Sequence, residues 1–140
     1  MILGHLQSTL TLYPTLKKHI TLWEANILAR QAQLLASESK HKMAIKVSTR
    51  VIDQASYIDD QSLLSRVLFV RGSALGNLHL FKEAADDFKI AAQLDENNAE
   101  ARVALRKSLD FIRTTTGTAY VPACAHDFFS KSHDEVSEME

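Results

Sequence analysis

The chain has 140 residues, of which 46 % are apolar and 24 % charged, with a formal net charge of −1. Eighteen leucines and seventeen alanines stand against four glycines and two prolines, too few turn formers for a β-sandwich or a glycine-rich phosphate loop, so an all-α fold is expected. The charge balance argues against a dedicated nucleic-acid binder, and the single cysteine, Cys124, excludes an intramolecular disulfide framework and suits a reducing compartment.

Residues 2–12 read as a short helix that ends before Pro14. His5, Gln7, Ser8, Thr9 and Thr11 interrupt its leucines, so it lacks the unbroken apolar core of a signal peptide. No stretch approaches the roughly 18 apolar residues of a spanning helix, and a cytoplasmic location is expected. Residues 15–37 form a long amphipathic helix in which Leu16, Ile20, Trp23, Ile27 and Leu34 share one stripe. A polar break over 37–41 precedes a helix over 42–55, with Met43, Val47, Val51 and Ala55 one turn apart. Asp59, Asp60, Gln61 and Ser62 offer caps for a helix over 61–76, which Gly76 and Asn77 are suited to end in a left-handed conformation. Helices over 81–94 and 98–113 follow, separated by a turn at Asp95, Glu96, Asn97 and Asn98. The count is six or seven helices.

Charge divides the chain unevenly. Residues 1–114 carry 15 Lys/Arg against 12 Asp/Glu, whereas residues 115–140 carry one against five. The change falls in a β-branched, glycine-bearing run over 114–118 that helices disfavour. The expectation is a folded body over 1–114 and an acidic, largely disordered tail over 115–140.

Helix pairs joined by short loops invite a search for a period of about 34 residues. The window 65–98, SRVLFVRGSALGNLHLFKEAADDFKIAAQLDENN, carries large residues at Leu68, Leu75, Phe81 and Phe88 and small ones at Gly72, Ala84 and Ala91. Small residues let two helices approach closely, and large ones fill the remaining volume and the seam to the next pair. This window resembles a tetratricopeptide repeat. Leu68 stands where the family usually has Trp, and Glu96 where it usually has Pro. A weaker match covers 25–58, with Leu28, Ala32, Leu35, Ala44 and Val51 in register, Ser48 where a large residue is expected, and about six extra residues near 52–58. The run from Asn98 to Arg106 looks like the capping helix that follows a last repeat. The tail lies outside the resemblance.

The resemblance implies a short right-handed helix-hairpin solenoid whose concave face is lined by the first helix of each pair. It implies groove residues Asn26, Ala29, Gln33, Ala36 and Ser37 from the weaker repeat. Arg66, Phe69, Ser73, Gly76 and Asn77 come from the clear one, and Glu100, Val103, Lys107 and Phe111 from the capping helix. Of these, Asn26, Gln33, Arg66, Phe69, Ser73, Asn77, Val103 and Lys107 are the candidate peptide-binding residues, with Phe69 as the anchor or, equally, a core residue beside Leu68. Some members of the family clamp acidic C-termini of chaperones between converging cations and amides. This chain places Ala29, Gln33, Val70, Glu100 and Ala104 at those positions, so that specificity is not expected.

Catalytic chemistry finds little support. Cys124 and His126 have a spacing that suits a nucleophile and a base, but they fall in the expected tail, without a defined oxyanion site. Cys124, His126, Asp127 and His133 match no structural zinc pattern. His5, His19, His41 and His79 are scattered, and His79 falls in a turn where a structural role is expected. No cofactor and no metal are expected. The leading reading is a non-catalytic adaptor that binds a peptide or helix of a protein partner. The second is a structural or regulatory subunit of a larger or homo-oligomeric assembly, with Ile2, Leu3, Leu6, Leu10 and Leu12 as its interface. Phe128 and Phe129, an apolar pair among acids, fit a short motif, a segment folded back on the body, or equally incidental aromatics in a disordered tail.

Overall fold

A computed structural model describes residues 21–125. Among them are five α-helices and no strand: α1 (21–37), α2 (His41–Ile52), α3 (Gln61–Asn77), α4 (Phe81–Leu94) and α5 (Ala99–Thr116), with a 3₁₀ turn at Ala55–Tyr57. The expected helix over 2–12 lies outside the described residues.

Two hairpins, α1/α2 and α3/α4, close in the same way. Ser39 (φ 63°) and His79 (φ 65°) each take the left-handed conformation just past a helix end. In each turn the next amide reaches back across the end: Lys40 N–H donates to Leu35 O at 2.9 Å, and Leu80 N–H to Leu75 O at 2.9 Å. The left-handed residue of the second turn is therefore His79 rather than Gly76 or Asn77, because α3 runs through Asn77 before it stops. The two hairpins superpose in sequence at an offset of 40: Ser39 on His79, Ala44 on Ala84, and Ala32 on Gly72. Ala32, Ala44 and Ala84 are all fully buried at the close approaches within the pairs. The link between the hairpins absorbs the extra residues. α2 stops at Ile52 rather than 55, and the 3₁₀ turn that follows buries Ala55, with Ile58 buried just after it.

Side-chain caps start α3 and α5. Asp60 Oδ1 accepts from Leu63 N–H at 3.1 Å at the start of α3, and Asn98 Oδ1 accepts from Ala101 N–H at 3.1 Å at the start of α5. The opposite end of the Asn98 amide donates to Ser65 Oγ at 2.9 Å, and Ser65 in turn donates to Ala91 O at 2.7 Å. One fully buried hydroxyl thus joins α3, α4 and the α4–α5 turn. α5 continues three residues past its expected end. Thr114, Thr115 and Thr116 donate their hydroxyls to the carbonyls of Asp110, Phe111 and Ile112 at 2.7–2.9 Å, a back-bonding rotamer open to threonine inside a helix. Gly117 (φ 77°) then caps it.

The core gathers Leu63, Leu64, Val67 and Leu68 of α3 with Val51 and Ile52 of α2, Ile90 and Ala91 of α4, Ala101 of α5 and Ala25 and Ala29 of α1. A second cluster joins Leu75, Ala84 and Phe88. Across it, Phe69 and Phe88 pack with ring centroids 5.7 Å apart. Between α3 and α4, Arg71 donates twice to Asp87, Nε to Oδ2 at 2.7 Å and Nη2 to Oδ1 at 2.8 Å, while Nη1 reaches Thr49 Oγ1 of α2 at 3.4 Å.

The buried face of α1 is not its apolar stripe but the side that carries Ala32, the small position of the weaker repeat. Ala25, Ala29 and Ala32 are buried, whereas Trp23, Ile27 and Leu34 are 69 %, 48 % and 64 % exposed. At 100° per residue the two sets lie on opposite sides of the helix. Alanine packs here because it allows close helix approach, a tertiary criterion that hydrophobic periodicity does not register.

The expected body–tail boundary at 114 falls inside α5, and residues 120–125 run along α4. Tyr120 Oη donates to Asp86 Oδ1 at 2.9 Å, Ala123 N–H donates to the same oxygen at 2.9 Å, and Ala125 N–H donates to Gln93 Oε1 at 2.6 Å. Lys82 Nζ sits 5.7 Å from the Tyr120 ring centroid, and Ala125 packs against the core. Loss of solvent, together with the hydrogen bond and negative charge of Asp86, pushes the Tyr120 phenol up to about 12. Because the folded state holds this proton more tightly, the strap's contribution is complete below the unfolded value near 10 and is lost as pH rises through 12. Absorbance titration of the phenolates is expected to include a transition with this elevated midpoint, and Asp86→Ala is expected to bring it back down. The Phe128–Phe129 expectation lies outside the described residues.

Candidate functional site

α1, α3 and the start of α5 border a groove. Its wider part encloses about 540 Å³ and is lined by Gln33 and Ala36 of α1, Arg66, Phe69, Val70 and Ser73 of α3, Asp95 and Asn98 of the α4–α5 turn, and Glu100 of α5. A narrower recess of about 50 Å³ continues between α1 and α3, lined by Asn26, Ala29, Arg30, Gln33, Leu63, Arg66, Val67 and Val70. Gln33, Arg66 and Val70 belong to both parts.

Helix periodicity explains the lining. Asn26, Ala29, Arg30 and Gln33 recur at three- and four-residue steps on one side of α1, as do Arg66, Phe69, Val70 and Ser73 on α3. The floor is apolar: Ala29 and Val70 are buried, and Phe69 is half-buried, held from below by Phe88. Phe69 therefore does both things asked of it, packing into the core and lining the groove. The walls are polar and divided by sign. Arg30 and Arg66 stand on the α1 and α3 side, and Asp95 and Glu100 on the α5 side.

Of the candidate residues, the fold brings together Asn26, Gln33, Arg66, Phe69 and Ser73. Asn77 is exposed at the end of α3, beyond the last groove residue, Ser73. Val103 and Lys107 are exposed on α5 but line neither part, because α5 packs chiefly on α4 and touches α3 little. Phe111 turns away as well and packs on Phe81 of α4, with ring centroids 4.2 Å apart. Arg30, Asp95 and Asn98 were not among the candidates. The α4–α5 turn reaches the groove through the Asn98–Ser65 bond, a tertiary contact 33 residues apart in sequence that no local pattern encodes.

Among the described residues no group of three or more His, Cys, Asp or Glu side chains is placed to hold a metal ion, and no helix is long and apolar enough to cross a membrane. His126, Asp127 and His133 lie outside the described residues. Comparison with family models, curated proteins and solved structures finds no match to this chain.

Proposed function

We propose that the chain is a non-catalytic protein-interaction module of tetratricopeptide type, in which stacked hairpins present a concave groove to a peptide or helix of a protein partner. The observation that carries this reading is the groove itself. Helices α1 and α3 and the start of α5 contribute to it, and it combines an apolar floor at Ala29, Phe69 and Val70 with amide, hydroxyl and charged walls. Such a surface suits an extended segment that places an apolar side chain on the floor. An acidic group on that segment would face Arg30 and Arg66, and a basic group Asp95 and Glu100. The 40-residue offset between the hairpins supports the repeat assignment, since one packing scheme then serves both pairs. No cofactor or metal takes part, and the expected setting is the cytoplasm.

The test is selection of binders from a displayed random peptide library on the full chain. Arg66→Glu is expected to weaken a selected peptide about tenfold or more, which corresponds to about 1.4 kcal/mol, while Asn77→Ala and Lys107→Ala leave it unchanged. Peptides that bind wild type and Arg66→Glu equally would place recognition elsewhere.

A second reading, a subunit of a larger assembly, draws on the exposed apolar side chains Trp23, Ile27 and Leu34.

A further inference from the structure

The same three positions have counterparts in the second hairpin. At the offset of 40, Trp23, Ile27 and Leu34 fall on Leu63, Val67 and Ala74. Those counterparts are 0 %, 1 % and 1 % exposed, against 69 %, 48 % and 64 % for the α1 residues. The difference has one physical source. α3 has a hairpin stacked on its upstream side, where α2 packs along it and Ala25 and Ala29 of α1 join the same cluster. α1 carries the same kind of face, and among the described residues nothing packs on it.

We propose that residues 1–12 of this chain occupy that face as an added helix, stacking on α1 as α2 stacks on α3. Three observations single out this occupant. The segment lies directly upstream of α1, as α2 lies upstream of α3. The sequence itself predicts a helix there, over 2–12, comparable in length with α2. It also supplies the missing apolar surface, with Ile2, Leu6 and Leu10 at four-residue spacing and Leu3 beside them. Pro14 stands between the segment and α1, where a turn is required. At 1.5 Å per residue a helix of this length spans about 18 Å, enough to run back over Trp23 and Ile27. Leaving Trp23 and Ile27 bare in water forgoes the burial that their counterparts Leu63 and Val67 obtain. The inference goes beyond the groove reading and is independent of it, since the groove lies on a different side of α1.

Trp23 is the single tryptophan of the chain and reports directly on this face. In the full chain its emission is expected to be blue-shifted relative to free tryptophan and shielded from acrylamide, unchanged on dilution, with the protein monomeric by light scattering. Leu6→Asp/Leu10→Asp is expected to shift the emission to the red and remove the shielding while the helical circular dichroism of the body persists. Water-like emission in the wild-type chain, which needs no variant, overturns the proposal. So does shielding that the double substitution leaves intact. Shielding that appears only as mass doubles with concentration overturns it in favour of a second copy of the chain.

Discussion

Arg71→Met is expected to lower the unfolding free energy by about 3–5 kcal/mol, the usual cost of removing one partner of a buried ion pair. The Asp87 side chain is only 5 % exposed, so the substitution strands a carboxylate that has little access to water. In the intact pair, burial works against the Arg71 charge, but the hydrogen bond and charge of Asp87 outweigh it and raise the guanidinium pKa. Burial likewise pushes the Asp87 carboxyl up, and Arg71 opposes it. With Arg71 gone that opposition ends and the Asp87 carboxyl rises further. The folded state then binds this proton more tightly than the unfolded chain does, so the variant is expected to gain stability on acidification. Urea unfolding of the variant at two pH values measures both effects. The double variant Arg71→Met/Asp87→Leu is expected to recover most of the loss, because an apolar pair of similar volume incurs no charge desolvation. A loss below about 1 kcal/mol, the range of exposed pairs, would mean that the α2–α3–α4 junction does not depend on this pair.

Ala84→Leu is expected to cost about 1–3 kcal/mol or more by overpacking, with Ala99→Leu close to neutral. Ala84 is fully buried where α4 meets α3, while Ala99 is exposed at the start of α5. The opposite wall of the same contact gives a sharper version of the test. A Cβ added at Gly72 would lie 2.8 Å from Cε1 and 2.9 Å from Cδ1 of Phe88. Phe88 is 5 % exposed and wedged against Phe69, so its ring has little room to yield. Glycine inside a helix normally costs about 1 kcal/mol relative to alanine, so an open site would gain stability from Gly72→Ala. Here the clash is expected to reverse the sign. Thermal unfolding that shows Gly72→Ala more stable than wild type would mean that α3 and α4 separate more easily than their packing implies.

Much of this architecture is legible in the residues. Asp60 announces the start of α3. The alternation of Leu68, Gly72, Leu75, Ala84, Phe88 and Ala91 places large and small side chains where two helices meet. These signals are local, arising from backbone conformation, capping chemistry and side-chain volume, and they survive without knowledge of the partners. The groove is legible in part for the same reason: residues spaced three and four apart on α1 and α3 share a face wherever those helices lie.

What the residues leave open depends on neighbours. The stripe of Trp23, Ile27 and Leu34 has the periodicity of a buried face, but Ala25, Ala29 and Ala32 are the residues that pack. Periodicity measures apolar content, whereas close helix packing selects small volume. The run over 114–118 reads as a helix breaker, yet three threonines turn their hydroxyls onto the preceding turn and extend α5. Residues 120–125 read as part of an acidic tail, yet Asp86 and Gln93 of α4 hold them. The sequence by itself determined the helical class, most helix limits and the tight contacts within each hairpin, because each follows from interactions between residues near in sequence. Only the tertiary structure decided which face of α1 is buried, how far α5 takes part in the groove, and that Arg71, Asp87 and Thr49 meet. Each of these is settled by contacts between different helices, whose strength depends on burial and distance rather than on local pattern.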